Sequence, residues 1–242
     1  MTPHVRRPPV VVSLSVAYAL AGLVLGSFLE NPYVQFAAPA ALLLTGYWLS
    51  GLFFRHPQPW LEQRLLASDR WLFDVLNVGA RLARVPRAAL ELLEAAYASV
   101  YVVAGVGGLF MAMRGPAAGG HYWDLVLTAG LACYVALPWL RSRPPRALEG
   151  PGTLAARRPR LRVLNTAILD RASVQANTIP SGHVAVVLAA AFAVFSESAT
   201  TGWMLVAMSL VVATAAVLGR YHYAADCVSG AVVAVLVWWL LG

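Results

Sequence analysis

Two stretches of the chain place reactive side chains at the ends of apolar segments. The first is Asn177-Thr178-Ile179-Pro180-Ser181-Gly182-His183, ahead of a long apolar run. Proline sets a helix entry there and serine occupies an N-cap position. Glycine allows close approach of backbone, and His183 falls on the first turn. Free N–H groups and the positive end of a helix dipole favour an anion such as phosphate at that point. Alone, Ser-Gly-His is a weak signal, and a plain capped helix start is its commoner reading. The second stretch, Gly219-Arg220-Tyr221-His222-Tyr223-Ala224-Ala225-Asp226, changes that balance. His222 and Asp226 are four residues apart, so on a helical turn they share a face and the carboxylate can hold the imidazole in one tautomer.

An imidazole oriented in this way serves as a general base or as a nucleophile toward phosphorus. His183, on another helix end, could protonate a leaving oxygen. Arg143, Arg146 and Arg220, with backbone N–H groups near Ser181 and Gly182, would neutralise non-bridging phosphate oxygens. Each histidine taken singly also fits a structural hydrogen bond. Zinc is the competing site, but neither His-x-x-x-His nor Cys-x-x-Cys occurs, so no metal and no cofactor are expected. Asp170, Arg171 and the arginines between Arg157 and Arg162 read as a solvated loop.

These residues have to be carried by membrane helices. Of the 242 residues 60% are apolar and 12% charged, and the mean hydropathy is +0.67, which excludes an ordinary soluble domain. The net charge of +7 comes from arginines lying in loops between apolar runs, so it points to topology and anionic headgroups rather than nucleic acid. All 18 basic residues are arginine, as codon bias in a GC-rich genome would give. Cys133 and Cys227 fall in or beside apolar runs and form no disulfide framework.

The expected fold is all-α: a polytopic helical bundle of about seven transmembrane helices with one interfacial amphipathic helix. Spans are placed near 10–29, 33–54, 88–113, 121–140, 183–199, 202–218 and 225–242. Gly22 and Gly26 form a small-xxx-small pair in the first, suited to helix packing. Glu30-Asn31-Pro32 turns the chain. In 55–87, six arginines interleave with Trp60, Leu65, Leu66, Trp71, Leu72, Phe73, Leu76 and Leu82 at helical spacing, which predicts the interfacial helix. With seven spans the N-terminus, 55–87, the polar segment 141–180 and the 219–226 cluster share one face. Arg6, Arg7 and the six arginines of 55–87 stand against Arg114 on the other, so basic excess places that face in the cytoplasm, of a bacterial plasma membrane.

The ordered set Arg143-Pro144-Pro145-Arg146, Pro180-Ser181-Gly182-His183 and His222-x-x-x-Asp226 resembles the type 2 phosphatidic acid phosphatase superfamily, from about residue 88 to the end. The resemblance implies that His222 attacks phosphorus to give a phosphohistidine, that Asp226 orients it, and that His183 is the general acid. Ser181, Gly182 and arginines would cradle the phosphate, without metal. Ala136 stands where the common first motif has lysine, and Ala216 where the common third motif has arginine. The compact Arg-Tyr-His-Tyr third motif is similar to the sphingomyelin and inositol-phosphorylceramide synthase branch. That branch carries an acidic residue matched here by Glu94, with Glu91 the alternative, as a contact to substrate or acceptor.

The expected organisation is one membrane domain over 1–242: two N-terminal spans (10–54), the amphipathic segment (55–87) and a catalytic core (88–242). The expected activity is hydrolysis of a lipid phosphomonoester or pyrophosphate. Transfer of a phospho-headgroup onto a lipid alcohol is the alternative within the class, and a non-catalytic lipid-binding or transport protein the alternative outside it. The expected partners are the lipid phosphate and the bilayer, with no nucleic acid and with a homodimer left open.

Overall fold

The computed structural model describes residues 8–26, 32–150, 152–157 and 159–242; Arg6, Arg7, the Glu30-Asn31 turn and Arg158 lie outside them. The described chain is all-α, with no strand and a single isolated bridge between Ser142 and Asn177. Apolar helices stand at each expected position: α1 (Pro8–Gly26), α2 (Pro32–Gly51), α5 (Arg87–Ala112), α6 (Pro116–Val135), α10 (Gly182–Phe195), α11 (Ala199–Leu218) and α12 (Ala224–Leu241). By length and composition α11 and α12 can each cross a bilayer. So can α5 if its two segments, bent by 56°, count as one span.

The centre is α10. It packs against α5, α6, α11 and α12, and Ala185, Val187, Ala190, Ala191, Ala193 and Val194 are fully buried. Alanine and valine keep its radius small, so four helices approach it closely. At 14 residues it is about 21 Å long, short of a roughly 30 Å hydrocarbon core. Protein rather than lipid surrounds it, so bilayer thickness does not set its length. Bulky residues lie instead on outward faces, among them Trp203, Met204 and Leu210 of α11 and Val228, Trp239 and Leu240 of α12.

Two expectations need correction. Segment 55–87 forms two helices, α3 (Pro59–Val75) and α4 (Val78–Arg84), parted at Asn77, whose φ of 47° is left-handed. A short polar side chain tolerates that conformation and ends the first helix. Gly22 is not at a helix crossing either, because a Cβ there would meet nothing within 4 Å. The polar segment 141–180 carries three further helices, α7 (Pro145–Glu149), α8 (Gly152–Ala156) and α9 (Leu161–Ala172).

Of the segments expected on one face, 55–87 contacts both 141–180 and the 219–226 cluster. Gln58 N–H donates to Arg141 O (2.8 Å), and α3 reaches the 219–224 turn through Asp69. At the far end Arg114 of the α5–α6 turn lies 3.9 Å from Glu197 of the α10–α11 turn. If the packing of α10 holds the bundle, Ala190→Leu should lower stability by about 1–3 kcal/mol. Leu210→Ala, on an outward face, should lower it far less. Thermal unfolding of both variants in the same detergent would read the difference.

Candidate active site

The turn between α11 and α12 delivers His222, and its geometry begins with Asp226. One carboxylate oxygen of Asp226 accepts from the Tyr223 N–H (2.9 Å), closing the N-terminus of α12, where a negative charge is favoured. The same oxygen lies 3.3 Å from His222 Nδ1. Asn177 Oδ1 lies 3.1 Å from that nitrogen as well. Asn177 is itself fixed by the bridge to Ser142, its N–H to Ser142 O (2.8 Å) and its Nδ2 to Ser142 Oγ (3.1 Å). With only acceptors around it, Nδ1 carries the proton and Nε2 keeps the lone pair. Burial, reinforced by the charge of Arg146, pushes the His222 pKa down to about 3, so the ring is neutral. Neutral is the form a nucleophile requires.

The second histidine arrives from α10. Ser181 holds the N-cap position with extended backbone, and its N–H donates to Asp226 O (2.9 Å). Its hydroxyl does not cap the helix: Oγ is buried with no hydrogen-bond partner among the described residues. Gly230 makes this approach feasible, since a Cβ there would stand 2.5 Å from Ser181 O. His183 follows one residue into the helix, its ring centroid 5.3 Å from that of His222 at an interplanar angle of 60°. The first N–H groups of α10 lack intrahelical acceptors, as at any helix start.

The three expected arginines are not brought together on one anion. Arg143 is clamped to Glu62 by its N–H, Nε and Nη2, each at 2.9 Å. Those bonds hold the Glu62 carboxyl below its usual range. Arg220 is buried at a φ of 60° and pairs with Asp69 (2.8 Å) and with Glu149. Burial pushes the Asp69 carboxyl up, against the opposing pull of the Ala224 N–H and Arg220. Arg146 is different. Among the described residues no carboxylate lies within salt-bridge distance of it, and its charge acts on both histidines. Its Nη1 leans toward Tyr221 O at 3.4 Å.

Glu94 and Glu91 separate clearly. Glu91 accepts from the N–H groups of Arg160 (2.6 Å) and Leu161 (2.9 Å), so it caps α9. Glu94 is 1% exposed and engaged by Arg162 (3.1 Å), Asn165 Nδ2 (2.6 Å) and Tyr221 OH (2.5 Å). Arg157 likewise binds the carbonyls of Leu82, Ala83 and Val85. The solvated-loop reading of 157–162 is therefore overturned for Arg157 and Arg162, which neutralise a helix end and a buried acid.

Asn177, Asp69, Glu62 and Arg162 were not singled out by sequence reasoning. Asn177 stands in the first stretch, and its position before Pro-Ser-Gly-His is a usable signal. Glu62 and Asp69 are seven apart on a helix whose same face carries Leu65, and two acids on an apolar stripe mark a face that docks on cations. Among the described residues no group of three or more His, Cys, Asp or Glu side chains is placed to hold a metal.

An oriented neutral imidazole, a second histidine, a helix N-terminus and an uncompensated arginine together are equipment for phosphoryl chemistry. Residues 63–240 match the PAP2 superfamily, and the chain belongs to it. Its members are phosphatases and related enzymes, so this is a phosphatase-type or related phosphoryl-transfer protein. The match begins inside α3, ahead of the expected core boundary at 88, and takes in Asp69. No curated protein and no solved structure matches the chain.

Asp69→Ala leaves the buried Arg220 charge short of a partner and should destabilise the fold by about 3–5 kcal/mol, as when one member of a buried pair is removed. The Asp69→Ala/Arg220→Ala double variant should be less destabilised than the sum of the two single variants. Thermal unfolding of the three proteins checks it.

Proposed function

We propose that the chain is a membrane lipid-phosphate phosphatase that works through a phosphohistidine on His222. The observation that carries this reading is an apolar cavity of about 140 Å³ between α2, α5, α6 and α10 that ends on Gly182 and His183. Leu43, Leu44, Val100 and Gly105 line it, and Leu44 is exposed on the outward face of α2. An apolar slot leading to His183 suits a phosphate ester carried on a hydrocarbon chain.

His222 Nε2 donates its lone pair to phosphorus as the bond from phosphorus to the lipid oxygen breaks. His183 gives a proton to that oxygen, and a lipid alcohol leaves. Asn177 and Asp226 hold the Nδ1 proton as positive charge grows on the ring. Arg146, Ser181 Oγ and the first N–H groups of α10 bind the non-bridging oxygens. Water then loses a proton to His183 and attacks phosphorus, and the phosphorus–nitrogen bond breaks to restore His222 and release phosphate. We assign hydrolysis rather than transfer to a lipid alcohol because Glu94, the acid expected at an acceptor, is engaged by Arg162, Asn165 and Tyr221.

Acid-labile, base-stable phosphoenzyme should accumulate when purified protein is mixed with radiolabelled lipid phosphate in excess chelator and quenched. His222→Ala should form none, and Asp226→Asn should lose about 10⁴-fold in turnover, by analogy with a triad carboxylate made neutral. Full activity in His222→Ala, or loss of wild-type activity in chelator, would refute the mechanism.

The same reading takes the seven apolar helices as spans of one membrane domain and puts the site on the arginine-rich, cytoplasmic face. Ser68 is exposed on α3 at that face. Ser68→Cys, with Cys133 and Cys227 replaced, should resist a membrane-impermeant thiol reagent in intact cells. Rapid labelling would reverse the orientation.

A further inference from the structure

Two tyrosine rings stack in a column behind His183. Tyr97 of α5 stacks on His183 with centroids 5.0 Å apart and planes 13° from parallel. It also stacks on Tyr221 at 3.9 Å, again at 13°. Tyr97 and Tyr221 are 3% and 2% exposed, so neither ring has room to turn aside. Tyr221 is pinned at its hydroxyl, which donates to Glu94 Oε2 (2.5 Å), and Glu94 is in turn held by Arg162 and Asn165. The guanidinium of Arg162 also lies over the Tyr221 ring, 4.5 Å from its centroid. Tyr221 precedes His222 directly, so the column ties the helix carrying one histidine to the turn carrying the other.

We propose that Tyr97 is a positioning residue for His183: the Tyr221–Tyr97 stack fixes the plane of the His183 ring. The effect is needed at one step, when the phosphorus–oxygen bond breaks and its electron pair goes to the leaving oxygen. The imidazolium proton must then be held toward that oxygen. A histidine free to rotate would present it in only a fraction of encounters. This role rests on the reading of His183 as the proton donor.

The test exploits the leaving group. An alkyl phosphate needs a proton on its departing oxygen, whereas p-nitrophenyl phosphate departs as a stable phenolate. The quantity read is the ratio of kcat/KM for a short-chain alkyl phosphate to that for p-nitrophenyl phosphate, measured in detergent. Because the ratio is internal to each preparation, a lower yield of folded protein cancels. His183→Ala should lower it about 10²-fold or more, the usual scale of general acid catalysis. Tyr97→Leu should lower it about tenfold, the upper end of what an aromatic pair contributes. Tyr97→Phe, which keeps the ring face, should return it to the wild-type value. Should Tyr97→Leu be inactive on both substrates, Tyr221→Leu removes the second layer and should shift the ratio in the same direction. An unchanged ratio in the leucine variant, with His183→Ala lowering it, overturns the positioning role. An unchanged ratio in His183→Ala overturns the proton-donor reading itself.

Discussion

The carboxylate of Asp226 is the constraint on which the rest of this site depends. One of its oxygens binds the first N–H of the α12 turn and lies beside His222 Nδ1, while its backbone carbonyl receives the Ser181 N–H. A single residue thus fixes the tautomer of one histidine and the distance to the helix bearing the other. The arrangement requires α12 to approach Ser181 closely, which is why Gly230 one turn further on cannot carry a Cβ. His222, the carboxylate beside it and the start of α10 are therefore one mechanical unit.

Around that unit stands a ring of ion pairs: Arg143–Glu62, Arg220 with Asp69 and Glu149, and Arg162–Glu94. Removing charges from water is expensive, and such pairs seldom raise stability over apolar replacements. Their effect here is geometric. A guanidinium fork accepts a carboxylate in one plane, so each pair sets a distance between segments remote in sequence. Arg220 occupies a left-handed backbone conformation that costs about 1–2 kcal/mol for an L-residue, and its two carboxylate partners hold it there. With those cations committed, Arg146 stands by the histidines with no carboxylate within salt-bridge distance among the described residues.

The reach of the sequence stops at these pairings. Apolar runs separated by arginine and proline mark the seven apolar helices closely, because hydrophobic length and chain breakers are local properties. His222 with Asp226, and Ser181 with His183, are legible for the same reason, each being set by spacing within one turn. Which carboxylate neutralises which arginine is not local. Glu62 meets Arg143 and Asp69 meets Arg220 across 81 and 151 residues, and no periodicity encodes such a partner. The break at Asn77 escapes for a different reason. The apolar stripe runs through it without interruption, and only a positive φ betrays it.

The position of the site along α10 follows from opposing demands on one helix. Its N-terminus must lie where charged groups and water can be accommodated, because an unpaired charge in hydrocarbon is heavily penalised. Its first turn also reaches the end of the apolar cavity, which Gly182 and His183 line, as the proposed lipid substrate would require. A full-length span in contact with lipid would be held in depth by bilayer thickness. A 14-residue helix enclosed by α5, α6, α11 and α12 is released from that constraint, so packing alone decides where its N–H groups fall. The small residues of α10 are thus tied to chemistry as well as to packing. They let surrounding helices set the depth at which apolar cavity and polar machinery meet.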